Sequence, residues 1–349
     1  MWGEGTNYAL GANIDATDTV NWNSGAGFTP IWGNAGRNFK GSFDGLGHTI
    51  SNLYISRPVI RPQSDFIGLF GLFNLANGSS ISNLELLEVD MTGNTAVGAL
   101  AGKVENTGGV AGVDSGRINN VLVSGSVTGK TSHIGGLVGQ AVDTTISNSY
   151  SKVNVNGAAY TGGLLGSLYS VNYGSNISNS YASNDVIGIR LVGGLIGTVS
   201  SIKGKKNSII NSYATGNVTG SSIQIGGLIG DVGTNVEIAN SYAIGNVIGT
   251  DSVGGLTGRN QAGSVSISNS YATGTVTGNT NIGGFSGYTL AGSVTIENSF
   301  YDKTVNPSLP GVGYGYTNTD VAGDIFGMNS TDMKVQVNFT SATSANGNQ

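Results

Sequence analysis

The stretch ISNSYATGTVTGNTNIGGFSG, residues 267–287, returns several times along the chain with small changes. IANSYAIGNVIGTDSVGGLTG covers residues 238–258, and related copies begin at residues 146, 177 and 210. The asparagine of this motif recurs every 28 to 37 residues, and the glycine-rich sextet at its end keeps the same period. Two markers that share one period indicate a repeat protein, in which stacked units form one continuous core.

The composition favours short β-strands joined by turns. The 349 residues include 59 glycines, 5 prolines and no cysteine. So much glycine disfavours helices and suits tight turns, while the absence of a Gly-X-Y triplet repeat excludes collagen. The net charge of −5 gives no basic face for nucleic acid, and the lysines of IKGKKN (202–207) are expected in a solvated loop. No apolar run is long enough to predict membrane insertion.

Each period contains three short segments, I-S-N-S-Y, G-x-V-x-G and x-G-G-L-x-G. Each segment is too short for a helix and is bounded by turn residues, so each is predicted to be a strand. Three strands per coil of 28–37 residues predict an all-β fold, a right-handed parallel β-helix or β-solenoid. We expect irregular N-terminal coils over 1–49, solenoid repeats over 50–301, and a C-terminal cap with a disordered tail over 302–349.

Two columns of identical side chains are predicted to stack along the solenoid axis. Aromatic rings and side-chain amides can both form such ladders when coils are parallel and in register. Both columns share the parity of the isoleucine in I-S-N-S-Y, so we expect them to face inward and to have a structural role. The predicted ladder residues are Asn148, Asn179, Asn211, Asn240 and Asn269, with Tyr150, Tyr181, Tyr213, Tyr242 and Tyr271.

The glycine sextets, from FIGLFG (66–71) to IGGFSG (282–287), resemble the GLUG repeat of bacterial surface and secreted proteins, including filamentous-haemagglutinin-like adhesins. YALGANIDA (8–16) and FKGSFDGLGHTISNLYI (39–55) resemble the segment that precedes these repeats in such exoproteins. The resemblance covers about residues 8–301. It implies a large exported β-helical protein that acts in attachment or biofilm, often with an outer-membrane secretion partner. GLUG repeats also occur beside protease domains, so the repeat indicates an architecture more firmly than an activity.

Catalytic residues are not predicted. Glycoside hydrolysis requires two carboxyls about 5–9.5 Å apart, but no two acids fall in matching columns of adjacent coils. Asp185 and Glu237 each stand alone in their columns, and neither His48 nor His133 lies in a serine or cysteine nucleophile pattern. The sequence has no cysteine and no calcium-binding nonapeptide, so no metal and no cofactor are expected.

The G-x-V-x-G segment predicts an outward surface. Its valine points inward, so the flanking side chains form a flat outward ribbon of small polar groups. The ribbon is a candidate contact for sugars, although solubility alone also explains it. A Thr-x-Thr array would suggest ice binding, but only one coil of the ribbon has the full pattern. The candidate ligand-binding residues are Thr128, Asn156, Asn217, Thr219, Asn246, Thr275 and Thr277.

The function expected from these features is a non-enzymatic, adhesive shaft of a secreted or surface-exposed bacterial protein. Its expected partners are surface glycans or a host receptor, with an outer-membrane secretion partner for a longer parent protein. A signal peptide and a secretion domain are expected outside this chain. Two alternatives stay open: a β-helix enzyme that acts on polysaccharides, as a lyase or hydrolase, and an ice-binding solenoid.

Overall fold

The computed structural model describes residues 5–31, 38–58, 66–75, 78–108, 117–261, 263–290, 294–316 and 323–334. Within these ranges the chain is mostly β-structure, and its 3-10 segments are Thr17–Gly25 and Asp332–Lys334. No helix in the described ranges is long and apolar enough to cross a membrane. The predicted disordered end, VNFTSATSANGNQ at 337–349, lies outside the described residues.

The described strands are numbered in chain order. The strands up to residue 201 are β1 (Tyr8–Ala9), β2 (Ile14–Asp15), β3 (Phe43–Asp44), β4 (Thr49–Ser51), β5 (Tyr54–Ser56), β6 (Phe70–Asn74), β7 (Ser80–Gly93), β8 (Ala101–Glu105), β9 (Arg117–Gly129), β10 (Ser132–Gly135), β11 (Val138–Val142), β12 (Thr145–Ser147), β13 (Tyr150–Asn156), β14 (Ala159–Gly162), β15 (Leu165–Ser170), β16 (Ser175–Ser178), β17 (Tyr181–Ala182), β18 (Val186–Gly188), β19 (Arg190–Gly193) and β20 (Ile196–Ser201).

The later strands repeat one pattern of five short strands per coil. They are β21 (Asn207–Ile210), β22 (Tyr213–Ala214), β23 (Val218–Gly220), β24 (Ile223–Gly226), β25 (Ile229–Val232), β26 (Val236–Ala239), β27 (Tyr242–Ala243), β28 (Val247–Ile248), β29 (Asp251–Gly254), β30 (Thr257–Asn260), β31 (Val265–Ser268), β32 (Tyr271–Ala272), β33 (Val276–Thr277), β34 (Thr280–Gly283), β35 (Ser286–Thr289), β36 (Val294–Glu297), β37 (Ser299–Asp302), β38 (Val312–Tyr314) and β39 (Ile325–Met328).

These strands form three sheets that run along the stack of coils. In each regular coil the first three strands lie in sheet 1, which has 24 strands, the fourth lies in sheet 2, which has six, and the fifth lies in sheet 3, which has nine. Equivalent strands of successive coils pair in parallel, as β21 pairs with β26, β24 with β29 and β25 with β30. The all-β parallel solenoid predicted from the repeat is therefore confirmed.

The solenoid extends beyond the regular repeats in both directions. Strand β1 pairs in parallel with β3, and β3 pairs with β7, so the stack already includes residues before position 50. At the other end β38 continues sheet 3 and β39 continues sheet 1. The domain boundaries at 49/50 and 301/302 stay predictions.

The core is a set of apolar columns inside the coils. Ile238 and Ile267 lie in register in sheet 1, and both side chains are completely buried. Val247 of the G-x-V-x-G segment and Leu256 of the glycine sextet are also completely buried. Stacking one such layer per coil removes β-branched and leucine side chains from water, which is the main favourable contribution to folding.

The inward orientation predicted for the asparagine and tyrosine columns is wrong. The asparagine adopts a left-handed backbone conformation, with φ of 49° at Asn240 and 48° at Asn269. One such residue interrupts the alternation of side chains along a strand. Each side chain after it therefore points to the face opposite to the one that it would occupy in a continuous strand. The outward residues are Asn148, Asn179, Asn211, Asn240, Asn269, Tyr150, Tyr181, Tyr213, Tyr242 and Tyr271, all half-buried or exposed.

Serine forms the buried polar column instead. Ser212, Ser241 and Ser270 follow the asparagines and are at most 1% exposed. The backbone N–H of Ser212 donates to Ser241 Oγ over 3.2 Å, and the N–H of Ser241 donates to Ser270 Oγ over 3.3 Å. Each hydroxyl donates in turn to the carbonyl two residues earlier, as Ser241 Oγ does to Ala239 over 2.8 Å. These buried hydroxyls and amides are therefore satisfied from coil to coil.

The glycine sextet is a corner between sheets 2 and 3, and not a single strand. Gly226 ends β24 and Ile229 begins β25, with Gly227 and Leu228 between them. A Cβ atom on Gly227 would lie less than 3.0 Å from the carbonyl oxygen of Gly255 in the next coil and from Ala243 Cβ. Only glycine permits this close approach between corners, and the same constraint acts at Gly163, Gly194 and Gly255.

Replacing Ser241 by alanine should lower the free energy of unfolding by about 1–3 kcal/mol, because the buried N–H of Ser212 loses its acceptor. The matched control is Ser266→Ala, an exposed serine of the next coil, which should change stability by no more than about 0.5 kcal/mol. Urea unfolding of both variants checks this. Equal stability of Ser241→Ala and the parent would contradict the serine ladder.

At position 240 we expect the backbone conformation, and not the side-chain amide, to determine how much a substitution destabilises the protein. Asn240→Ala should destabilise by about 1–2 kcal/mol, because alanine resists the left-handed conformation, while Asn240→Gly should retain most of the stability. Thermal unfolding of the two variants side by side measures the difference. If alanine were tolerated as well as glycine, the left-handed bend would not be required.

Candidate binding face

The tyrosine column forms a continuous ladder of rings on the outside of sheet 1. Ring centroids lie 4.8 Å apart between Tyr181 and Tyr213, 4.7 Å between Tyr213 and Tyr242, and 4.8 Å between Tyr242 and Tyr271. The planes of these pairs differ by 3° to 7°. Coil spacing in a parallel solenoid matches the stacking distance of aromatic rings, so neighbouring rings cover each other's faces. The rings are half-buried, and their faces are covered by the rings of the neighbouring coils.

The ladder also changes the acidity of its hydroxyls. Burial, and then the neighbouring tyrosines, raise the pKa of Tyr213 and of Tyr242, and burial raises the pKa of Tyr271. These phenols therefore stay uncharged over the physiological pH range and present a row of neutral hydroxyl groups.

Beside the tyrosines, the asparagine amides form a second ladder at the surface. Asn211 Nδ2 donates to Asn179 Oδ1 over 3.2 Å, and Asn269 Nδ2 donates to Asn240 Oδ1 over 3.3 Å. Each amide that bonds along the stack in this way still has donor and acceptor capacity on its solvent side.

The ribbon predicted from G-x-V-x-G also lies on sheet 1, and it consists of two outward columns. The first column contains Asn217, Asn246 and Thr275, and its side chains bond to the next coil. Asn217 Oδ1 accepts from the backbone N–H of Asn246 over 3.1 Å, and Asn246 Oδ1 accepts from Thr275 Oγ1 over 2.8 Å. These side chains therefore hold the coils together as well as facing solvent.

The second column is the freer surface. Strand register aligns the predicted residues Thr128 and Asn156, and then Thr219 and Thr277, with isoleucines between them. Asn156, Thr219 and Thr277 are exposed and Thr128 is half-buried. Two isoleucines of this column, Ile187 and Ile248, are 50% and 49% exposed, so the surface alternates polar and apolar groups.

A further column, which the sequence analysis did not identify, lies within the strands of sheet 2. It consists of the residue immediately before each of the last six glycine sextets, always in the left-handed conformation, with φ from 50° to 65°: His133, Tyr160, Leu191, Gln224, Ser252 and Asn281. The constant position before the sextet is the signal that could have revealed it. The residue type at this position varies from coil to coil, so a search for repeated residues does not find the column.

His133 is the most perturbed group of this column. Its ring stacks on Tyr160 with centroids 4.8 Å apart, its Nδ1 lies 2.8 Å from Ser167 Oγ, and the Arg190 guanidinium lies 5.7 Å from the Tyr160 centroid. Burial, and then the nearby charge of Lys103, lower the pKa of His133 to about 4. The neighbouring Tyr169 is held neutral because burial raises its pKa to about 12.

Asp231, on strand β25 of sheet 3, is a buried acid, and it is fully engaged. Its carboxylate accepts from Arg259 Nε over 2.6 Å and from Gln261 Nε2 over 2.8 Å, and Asp231 is 4% exposed. A carboxylate neutralised in this way suits a structural role better than acid–base chemistry. Across the described ranges no group of three or more His, Cys, Asp or Glu residues could hold a metal ion.

His133 should make the protein less stable in mild acid. The folded-state pKa of about 4 lies below the ordinary 6.5, so the unfolded chain binds more protons between these values and stability falls as pH drops through this window. His133→Asn retains a residue that suits positive φ and removes the titrating group, so it should lose about 1–3 kcal/mol less than the parent between pH 7 and pH 4. Urea midpoints at both pH values measure this, and parallel losses in the two proteins would refute it.

Comparison with known proteins agrees with this architecture. The family model of the GLUG motif matches residues 131–156 and 249–277. Halomucin from Haloquadratum walsbyi is 37% identical over 142 residues, which is 40% of this chain and 1% of halomucin. An immunoglobulin A1 protease from Streptococcus sanguinis is 32% identical over 171 residues, which is 47% of this chain and 8% of that protease.

A solved structure shares the fold. The crystal structure of a Bacteroides ovatus protein, described as a candidate immunoglobulin A1 protease, superposes with a TM-score of 0.53 at 23% identity. The match covers 71% of this chain and 72% of that one. At this identity the likeness concerns the fold alone. The chain is thus a β-solenoid that carries the GLUG motif, and it spans only a small part of the length of the curated relatives that it matches.

Proposed function

We propose that this solenoid is a non-enzymatic adhesive shaft of a secreted or surface-exposed bacterial protein, and that its outward sheet 1 face contacts glycans. The observation that carries the proposal is the second outward column, where exposed hydroxyl and amide groups alternate with exposed isoleucines along one face of sheet 1. A host receptor that displays such glycans would serve as partner, and a longer parent protein would use an outer-membrane secretion partner.

Rigidity supports the role of a shaft. Sheet 3 contains nine strands in succession, so the stack of coils is about 40 Å long at the usual spacing of parallel strands. Serine hydroxyls, asparagine amides and tyrosine rings connect each coil to the next, in addition to the backbone ladder. A repeat of this kind can be lengthened by adding coils without redesigning its core.

The chemistry of the second column suits sugars. Sugars present hydroxyls that donate and accept hydrogen bonds, together with C–H faces that pack on apolar groups. Asn156 and Thr219 offer polar contacts, and Ile187 between them offers an apolar one. The same isoleucines interrupt the threonine array that an ice-binding face would require, which disfavours that alternative.

The enzymatic alternatives have less support. The buried carboxylate of Asp231 is occupied by Arg259 and Gln261, whereas a glycosidase keeps two carboxyls about 5–9.5 Å apart for acid and nucleophile or base. The relative that is named an immunoglobulin A1 protease shares 8% of its length with this chain, so the match argues for a common module and not for a common active site. The names of both curated relatives favour an extracellular setting.

The proposal predicts that the triple variant Asn156→Ala, Thr219→Ala and Thr277→Ala loses glycan or cell-surface attachment at least tenfold while its melting temperature holds, because exposed replacements cost no more than about 0.5 kcal/mol each. Immobilised glycan arrays and bead attachment to bacterial or epithelial surfaces measure binding. The matched control is Lys130→Ala, Ser221→Ala and Asn279→Ala, three exposed residues on the neighbouring turns. Unchanged attachment of the first variant, or an equal loss in both, would reject the adhesive face.

A further inference from the structure

A polar groove runs along the opposite edge of sheet 1 from the second outward column. One part is a cavity of about 550 Å³ bordered by Lys206, Glu237, Ser266 and Thr295. The other part, of about 280 Å³, is bordered by Thr145, Tyr173, Asn176, Ser208 and again Lys206. Lys206 borders both cavities, so its side chain lies at the junction of one groove.

The floor of the groove is a single column of outward side chains. Strand register places one member in each of six successive coils: Thr145, Asn176, Ser208, Glu237, Ser266 and Thr295. At the spacing of parallel strands the column extends over about 24 Å. This floor is long, straight and lined by small hydrogen-bonding groups, as a linear polymer would require.

Two loops between sheets 3 and 1 form the wall. The first, residues 171–174, is held by Asp143, which is completely buried and whose carboxylate accepts from the backbone N–H groups of Val171, Asn172 and Tyr173. The second, residues 202–206, has five residues where the corresponding connection of the next coil, 233–235, has three. Lys203 Nζ donates to Asn172 Oδ1 over 3.2 Å and joins the two loops. The wall is therefore preorganised.

Positive charge is concentrated at the middle of this wall. Lys203, Lys205 and Lys206 are all exposed, in a protein whose net charge is −5. Lys206 pairs with Glu237, whose Oε2 lies 2.9 Å from Lys206 Nζ. An ammonium group has three donors, so Lys206 can bind a second anion beside Glu237, and the other two lysines add to the local potential.

We propose that this groove binds a linear glycan that carries carboxylates, of the uronate type, whose acidic groups pair with the lysine wall while its hydroxyls bond to the floor. A peptide is disfavoured, because strands β16, β21, β26 and β31 beneath the groove are paired on both sides and offer no free edge for an added strand. The groove is separate from the second outward column and does not depend on the proposed adhesive face.

The test is binding of a polygalacturonate hexamer to the full chain, measured by titration calorimetry at two salt concentrations. We expect binding that weakens as salt rises, and at least a tenfold loss in Lys203→Gln, Lys205→Gln, Lys206→Gln. A matched control with the same change of charge is Lys130→Gln, Lys152→Gln, Lys334→Gln, three exposed lysines elsewhere, which should retain binding within twofold. Glu237→Gln should bind the hexamer a few-fold more tightly, because a competing carboxylate is removed.

Several outcomes would overturn this proposal. Absence of hexamer binding, equal losses in the two lysine variants, or equal affinity for a neutral cello-oligosaccharide would each remove the acidic-glycan site. Equal affinity for poly-glutamate would replace the glycan by an acidic peptide. The variant of Asn156, Thr219 and Thr277 should bind the hexamer like the parent, so failure of the adhesive face and failure of the groove can be told apart.

Discussion

The structure depends on in-register stacking of parallel coils. Each coil places like residues on like, about 4.8 Å apart, so one favourable contact between neighbours is multiplied along the stack. Tyr213 and Tyr242 stack ring on ring at 4.7 Å, and the amide of Ser212 donates to the hydroxyl of Ser241. A coil that slipped by one residue would lose all of these contacts at once and would expose the apolar columns.

The short distance between coils explains why positions of the repeat differ in the residue types that they tolerate. Gly227 has no space for a Cβ atom, because the corner of the next coil lies against it. The position before each of the last six sextets takes a left-handed conformation, and its residue type differs from coil to coil, from His133 to Asn281. Individual coils differ in their chemistry at the position before the sextet and in the loops between sheets 3 and 1. The lysine wall at 202–206 is such a coil-specific addition to a uniform core.

The repeat period and the strand-turn composition were enough to predict the parallel solenoid, because both follow directly from periodicity. Side-chain orientation was not predictable by counting alternate residues, since Asn240 and its equivalents take positive φ and shift the alternation by one position. Ser241 was therefore overlooked as the buried polar residue. The groove was also missed, because the residues of its floor lie in six different coils and only strand register brings them together. The outward placement of Thr219 and Thr277 did follow from the burial of the valine between flanking polar residues.

The most direct test of this account is thiol labelling of single cysteines at consecutive positions, in a protein that has no cysteine of its own. The left-handed bend predicts that native Asn240→Cys and Tyr242→Cys react readily with a maleimide, while Ser241→Cys, inside the coil, reacts only after unfolding. A continuous strand through this segment would give the reverse pattern, with Ser241→Cys reactive and the cysteines on either side protected. That result would contradict the serine ladder and the coil geometry built on it.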